Sequence, residues 1–394
     1  MQDILLLGID GGATKISGWI VDIKGKGFSL TNINIQKKYS EYSSYNGTFQ
    51  PVDIKTQLAE MNTGINLTDE EISQGLAYMH AASDVIIELS KNNPDRKLLI
   101  GFGMPGLKTV DKRGISALAN GPRMPKFVEF IEGKLRNAKI DFYPISHLGS
   151  DADYCGIGEE YDISGSFKGV EYAYYLGGGT GVADAMKLNG KLITFDNMKT
   201  WIAKAWEMKG ASDLSFERYA SAGGIQYIYS IKSGVPIEQL NEQGIYPPQI
   251  LHRAIANESS ALETINEVSK NLSILIFERI LTLYSGYSGL FEFINAAKPK
   301  LKKNHSFRGT LLDKIVIGQR LGDLLKESQS TTLLWKDILV NLKTLIEDTN
   351  NEKLIEHYLK NEIFNTDILT ISGLREAPAI GAAVDAFLSN KNNL

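Results

Sequence analysis

One cysteine in 394 residues, Cys155, excludes an intrachain disulfide and any thiolate-rich zinc site. The five histidines (His80, His147, His252, His305 and His357) are scattered, without the close spacing of metal ligands. No apolar stretch approaches the roughly 20 residues that a membrane-spanning helix needs. The Gly-x-Ser-x-Gly signature of a nucleophile elbow is missing as well. Neither charge sign dominates: 42 basic against 46 acidic residues leave a net −4, so nucleic acid and anionic membranes are not expected partners. The first residues carry no basic region or cleavable apolar segment and lead straight into a strand pattern, which fits a cytoplasmic chain.

What is present is enough for two domains with substantial cores, at 43% hydrophobic and 22% charged residues. The most informative stretch is ILLLGIDGGATKISGWIVD, residues 4–22. Two β-rich runs joined by glycines read as a hairpin. Gly11 and Gly12 let the backbone turn tightly and present N–H groups to a ligand. N–H groups in such a concavity form an anion site, to which Thr14 adds a hydroxyl and Lys15 a cation. Asp10 in the same place would repel a phosphate unless a metal lay between them, so it is a magnesium position held through water. An ordinary glycine-rich hairpin is the alternative for this motif taken alone.

Residues 28–36 read as a third strand, and polar residues 37–66 as a long loop or insertion. Thr68 with Glu71 forms a capping box ahead of an amphipathic helix. A strand over 97–106, a helix over 125–137 and a short strand ending at Asp151 complete a mixed α/β pattern. The same order then begins again at 170–195: strand, Gly-Gly-Gly-Thr-Gly turn, strand, Asn-Gly turn, strand. Strand–turn–helix patterns over 313–325 and 366–388 close the second half. Each half thus opens with a glycine-bearing hairpin, a duplication more specific than either glycine run alone.

Asp151 ends a strand, where ligands collect in open α/β sheets, and its carboxylate suits the base of phosphoryl transfer to an alcohol. A helix N-cap is its structural alternative. Gly179, Thr180 and Gly181 are the second phosphate candidates, and Gly318 marks a strand end where an adenosine moiety could lie. Glu217, near the start of a helix, suits paired sugar hydroxyls, although solvated glutamates are common.

Taken together, these residues resemble the ROK family (repressors, open reading frames, sugar kinases) within the actin-like sugar kinases. Asp10 to Lys15 resembles the family's first phosphate motif, with alanine inserted before the threonine. Gly101 to Gly106 resembles its G-x-P-G element, and Ser150-Asp151-Ala152-Asp153 its Asn-Asp-Ala-Asn stretch, whose first acid is the catalytic base. Residues Gly179 to Lys191 resemble the second phosphate hairpin, and Phe216 to Ser221 the segment with a sugar-binding glutamate. The landmarks run in order along nearly the whole chain. Departures are the missing cysteine-rich zinc loop, Ser150 in place of asparagine, and the missing Glu-x-Gly-His motif, of which Glu207 is the remnant. Asp184 stands where further glycine is expected and would bring negative charge toward the phosphates.

The resemblance implies two actin-like (ribonuclease H-like) α/β domains with mixed sheets around an interdomain cleft. Residues 1–150 plus 375–394 would form one, and 151–374 the other. It implies an ATP- and magnesium-dependent kinase acting on a hexose or N-acylated amino sugar. Asp151 would be the base, with Ser150, Asp151, Glu207 and Glu217 at the sugar, and a homodimer is compatible with it. A non-catalytic sugar- or nucleotide-binding protein on the same scaffold and a sugar-independent ATPase stay open. No structural zinc is expected; packing of Trp201, Trp206, Met208 and Phe216 would hold the loop in its place.

Overall fold

The structure, a computed structural model, describes residues 4–391, which divide into two compact units. The first comprises the chain up to Gly165 together with Glu376 onward, and the second Ser166–Arg375.

The first unit contains β1 (Ile4–Gly11), β2 (Lys15–Lys24), β3 (Gly27–Lys38), α1 (Ile54–Thr63), α2 (Asp69–Ser90), β4 (Lys97–Gly103), β5 (Leu107–Lys108), β6 (Ile115–Ala117), α3 (Phe127–Asn137), β7 (Leu148–Gly149) and α4 (Asp151–Tyr161). The second contains β8 (Ala173–Gly178), β9 (Val182–Leu188), β10 (Lys191–Ile193), α5 (Phe195–Met198), β11 (Met208–Lys209), α6 (Phe216–Ala220), α7 (Ala222–Ser233), α8 (Ile237–Glu242), α9 (Pro247–Ile255), α10 (Ser259–Ser285), β12 (Glu292–Phe293), β13 (Lys314–Gly318), α11 (Gln319–Ser328), α12 (Trp335–Glu347), α13 (Glu352–Tyr358), β14 (Leu359–Lys360), β15 (Ile363–Phe364) and β16 (Leu369–Ile371). The last helix, α14 (Ala377–Asn390), belongs to the first unit.

The first sheet runs β3-β2-β1-β4-β7 and the second β10-β9-β8-β13-β16. In both, an antiparallel meander of three strands is extended by two strands parallel to the first. The repeat legible in the glycine hairpins is therefore a repeat of sheet topology. Among the described residues no helix is long and apolar enough to cross a membrane.

Two expectations are corrected here. Helix α4 stays with the first unit, so the division falls after Gly165 and not after residue 150. The reason is packing: α4 lies against α14, and a side chain at Gly158 or at Gly381 would overlap the other helix's backbone. Residues 37–66 are not an unstructured insertion either. They contain α1, capped by Asp53, whose carboxylate accepts from the N–H groups of Lys55 (2.9 Å) and Thr56 (3.4 Å). The expected capping box of α2 is present, Thr68 and Glu71 each accepting the other's backbone N–H (3.1 and 3.2 Å).

Helix α14 crosses β1 and β4 at two glycines. A Cβ on Gly8 would overlap the carbonyl of Ala379, and one on Gly101 that of Ala382. Backbone cannot retreat as a flexible side chain can. Gly101→Ala is therefore expected to cost about 3 kcal/mol or more in urea unfolding, or to abolish soluble expression. Gly133→Ala, inside α3 with open space around it, should instead add about 0.5–1 kcal/mol.

Candidate active site

Asp10 stands near the carboxyl end of β1, in register with Gly103 of the parallel β4, which is itself in register with Gly149 of β7. Asp151 follows two residues beyond Gly149, as the first residue of α4. Three adjacent parallel strands thus deliver both carboxylates to one edge of the first sheet, the edge where open α/β sheets bind ligands. Burial pushes the Asp10 carboxyl up to about 7, with the negative charges of Asp151 and Glu376 adding to it and Lys15 opposing. Ser150, not Asp151, caps α4: its hydroxyl accepts from the Asp153 N–H at 3.4 Å. Asp151 is left with a bond from its neighbour Ala152 N–H, 3.0 Å.

The β1–β2 hairpin is held from behind by aromatic residues. The Tyr39 hydroxyl donates to the Gly12 carbonyl (3.0 Å), the Tyr78 hydroxyl to that of Ala13 (3.1 Å), and the Tyr39 N–H to that of Thr14 (3.2 Å). The two rings stack with centroids 3.6 Å apart. Gly11 packs where a side chain would collide with the Met104 sulfur. Among the described residues the N–H groups of Ala13 and Thr14 have no partner, and these are what the tip offers an anion. Lys15 is turned aside, its ammonium donating to Gln36 Oε1 at 2.8 Å.

In the second unit the β8–β9 turn is closed by the Gly179 N–H donating to Gly181 O at 2.8 Å. The N–H groups of Thr180 and Gly181 are likewise unpartnered among the described residues. Glu217 sits directly under this turn, accepting from the Val182 N–H at 3.1 Å, and burial raises its proton affinity. The structure thus gives Glu217 a role in holding the hairpin. Gly318 ends β13 where a Cβ would overlap the Tyr175 hydroxyl, so packing alone requires a glycine there.

Three expectations change. Asp184 does not direct charge at phosphates: it is buried, accepting from Tyr174 Oη (2.5 Å), the Ala205 N–H (3.0 Å) and Arg279 Nη2 (3.3 Å). Burial without a cation would be too costly, and Arg279 supplies one. Glu207 is paired with Lys298 and accepts the Lys204 N–H at 2.9 Å, a structural role beside the expected one at a sugar. Trp206 is 53% exposed and holds nothing, whereas Trp201, Met208 and Phe216 are buried as expected. The segment is braced instead by β11 pairing with β12 and by Trp201 stacking on His305, 4.1 Å between centroids.

Two residues that the motifs did not single out join the first site. Lys108 donates from Nζ to the carbonyls of Met104 (2.7 Å) and Gly106 (2.8 Å), and burial lowers its pKa to about 8 against the pull of Asp151 and Asp153. Glu376 stands immediately before α14 and acts on Asp10. Neither belongs to a glycine motif; only the fold brings them near. Among the described residues no group of three or more histidine, cysteine, aspartate or glutamate side chains could hold a metal. Asp10 nonetheless fits magnesium, because a divalent cation would offset the negative charges of Asp151 and Glu376 that add to the effect of burial on its carboxyl, and such a cation keeps most of its waters.

No family model matches the chain, and no curated protein matches it in sequence. Solved structures do match. A ROK family glucokinase from Streptomyces griseus, solved with glucose and AMPPNP, is 14% identical with a TM-score of 0.58, covering 98% of this chain and 99% of its own. The fold is that of the ROK sugar kinases. The ROK hexokinase of Thermus thermophilus matches at 14% identity and TM-score 0.53, over 98% of this chain and 99% of its own. A ROK family transcriptional regulator, a homologue of the E. coli MLC protein, matches at 12% and 0.53, over 98% of this chain and 78% of its own. The two-domain, actin-like α/β architecture is common to them.

The raised Asp10 pKa carries a stability signature. A free aspartate ionises near 4, so between about 4 and 7 the native state holds the extra proton and metal-free stability falls as pH rises. In EDTA at pH 8, Asp10→Asn is expected to stabilise the protein by on the order of 4 kcal/mol, with little difference at pH 4. Magnesium should raise the melting temperature of the natural protein only.

Proposed function

We propose that the chain is an ATP- and magnesium-dependent carbohydrate kinase, transferring the terminal phosphate to a hydroxyl of a hexose or N-acylated amino sugar. The observation that carries this reading is the delivery of Asp10 and Asp151 to the carboxyl ends of adjacent parallel strands, beside a hairpin with unpartnered N–H groups. The complex of the Streptomyces enzyme with glucose and AMPPNP supports the substrate pair.

Asp151 accepts the proton of the attacking hydroxyl as that oxygen bonds to the terminal phosphorus and the bond from that phosphorus to the bridging oxygen breaks, releasing ADP. Lys108, anchored on two carbonyls, places a cation within the electrostatic reach of Asp151. The unpartnered N–H groups at 13–14 and at 180–181 are the donors this reading assigns to phosphate oxygens, with Thr14 and Thr180 adding hydroxyls. Asp10 would hold magnesium, and that ion, when bound, would neutralise charge on the phosphates. Glu217 fixes the second hairpin, and Ser150 fixes α4 and with it Asp151. ATP and magnesium are both available in the cytoplasm, where we place the reaction.

A second reading, a non-catalytic sugar or nucleotide binder, is favoured by two observations: Glu207 is paired with Lys298, and the structural neighbours include a regulator. A sugar panel with ATP and magnesium, read by ADP release, separates the readings. Sugar-dependent release supports the kinase, sugar-independent release an ATPase, and ligand binding without release the binder. For the kinase, Asp151→Asn should lower kcat about 100-fold or more while nucleotide affinity stays within about twofold. Full activity in that variant removes Asp151 from the role of base.

A further inference from the structure

A cavity of about 580 Å³ opens in the first unit, beside the tip of the β1–β2 hairpin. Its walls come from residues 45–54, from α2 and from the loop after β6, and one edge is Ala13 at the tip of the first hairpin. Tyr45 and Phe49 supply aromatic surface, and Gln50 and Asn120 supply amides. Among the described residues the Tyr45 hydroxyl and the Gln50 and Asn120 amides make no hydrogen bond. The one charged group in the lining, Asp53, is spent on capping α1.

The cavity is held in shape by the segment expected to be a loop. Gln57, fully buried, donates to the carbonyls of Val52 (2.7 Å) and Leu118 (3.2 Å) and accepts the Leu118 N–H (2.7 Å). Gln74 accepts the Asn46 N–H at 2.7 Å, and Ser73 donates to Ser44 O at 3.0 Å. Buried Arg123 ties α1 to α2 through Glu60 and Glu71, the latter at 2.6 and 2.7 Å. A preformed wall of this kind lowers the ordering cost of a ligand.

We propose that this cavity is a subsite for a neutral sugar unit, so that the acceptor is a glycoside or oligosaccharide longer than one ring. Aromatic faces cover the apolar C–H face of a sugar, and amides, which both donate and accept, match its hydroxyls. The lack of a free charge excludes a phosphate or a carboxylate as the preferred ligand. Ala13 is three residues from Asp10, hence no more than about 11 Å along the backbone. A second ring joined to one at the phosphoryl site covers that span. The hairpin tip connects the two places through the Tyr78 bond to Ala13.

The proposal rests on the kinase reading for the reacting ring, and its test is binding, which does not depend on turnover. Maltose, cellobiose, lactose and N,N′-diacetylchitobiose are titrated by calorimetry against their monosaccharides, with adenosine as a further probe. At least one disaccharide is expected to bind about tenfold or more tightly than its monosaccharide. Phe49→Ala and Asn120→Ala, both at loop positions outside the core, should abolish that gain and leave monosaccharide affinity unchanged. A gain that survives both variants overturns the subsite, as does a disaccharide series that never exceeds the monosaccharides, or adenosine competing for the cavity. ADP release with monosaccharides but no disaccharide gain leaves the kinase standing and removes the subsite. A calorimetric gain without ADP release does the reverse.

Discussion

Helix α14 lies on β1 and β4 at a distance that only bare backbone permits. Side chains at Gly8 and Gly101 would overlap its carbonyls, and Gly158 and Gly381 repeat the arrangement between α14 and α4. Close approach at four points fixes three things at once. It brings the end of the chain back to the first unit, it sets α4 with Asp151 at the sheet's carboxyl edge, and it carries Glu376 into the field of Asp10. The charge pattern of the candidate site is thus a consequence of helix-on-sheet packing.

The second unit repeats the sheet topology and solves its core differently. Arg279 and Glu278 of α10 are buried with Asp184 of β9, and the Tyr174 hydroxyl closes the group. The arginine also lies over the rings of Tyr174 and Phe195. Such a cluster holds α10 and the sheet in one register, because removing any partner strands a buried charge. The hairpin above it is braced by Glu217 instead of by tyrosines. The two hairpins thus present similar pairs of N–H groups on dissimilar supports.

Local chemistry explains which features were readable. The capping box at Thr68, the Asn-Gly turn at 189–190 and the apolar runs of β1, β4 and β8 each depend on residues close in sequence. Helix α1 was not readable, because its residues lack a clear apolar period and its stability comes from Glu60, Gln57 and distant Arg123 and Leu118. Trp206 misled for the opposite reason: a large apolar residue near others in sequence suggests core, yet the short turn at 205–207 points it to solvent. Asp184 looked like a charge near phosphates since its neutralising partner is 95 residues away.

The sequence by itself determined the repeated hairpins, the acids at strand ends and the likeness to the ROK kinases, since each is carried by short contiguous motifs. A single cysteine also excludes a disulfide within these 394 residues. Only the tertiary structure decided the surroundings of the individual acids. Asp10 is pushed up to about 7 by burial and by Asp151 and Glu376, whereas Asp184 and Glu207 are neutralised by Arg279 and Lys298. Electrostatic environment is set by distances in space and by exclusion of water, and neither is written in the spacing of residues along a chain.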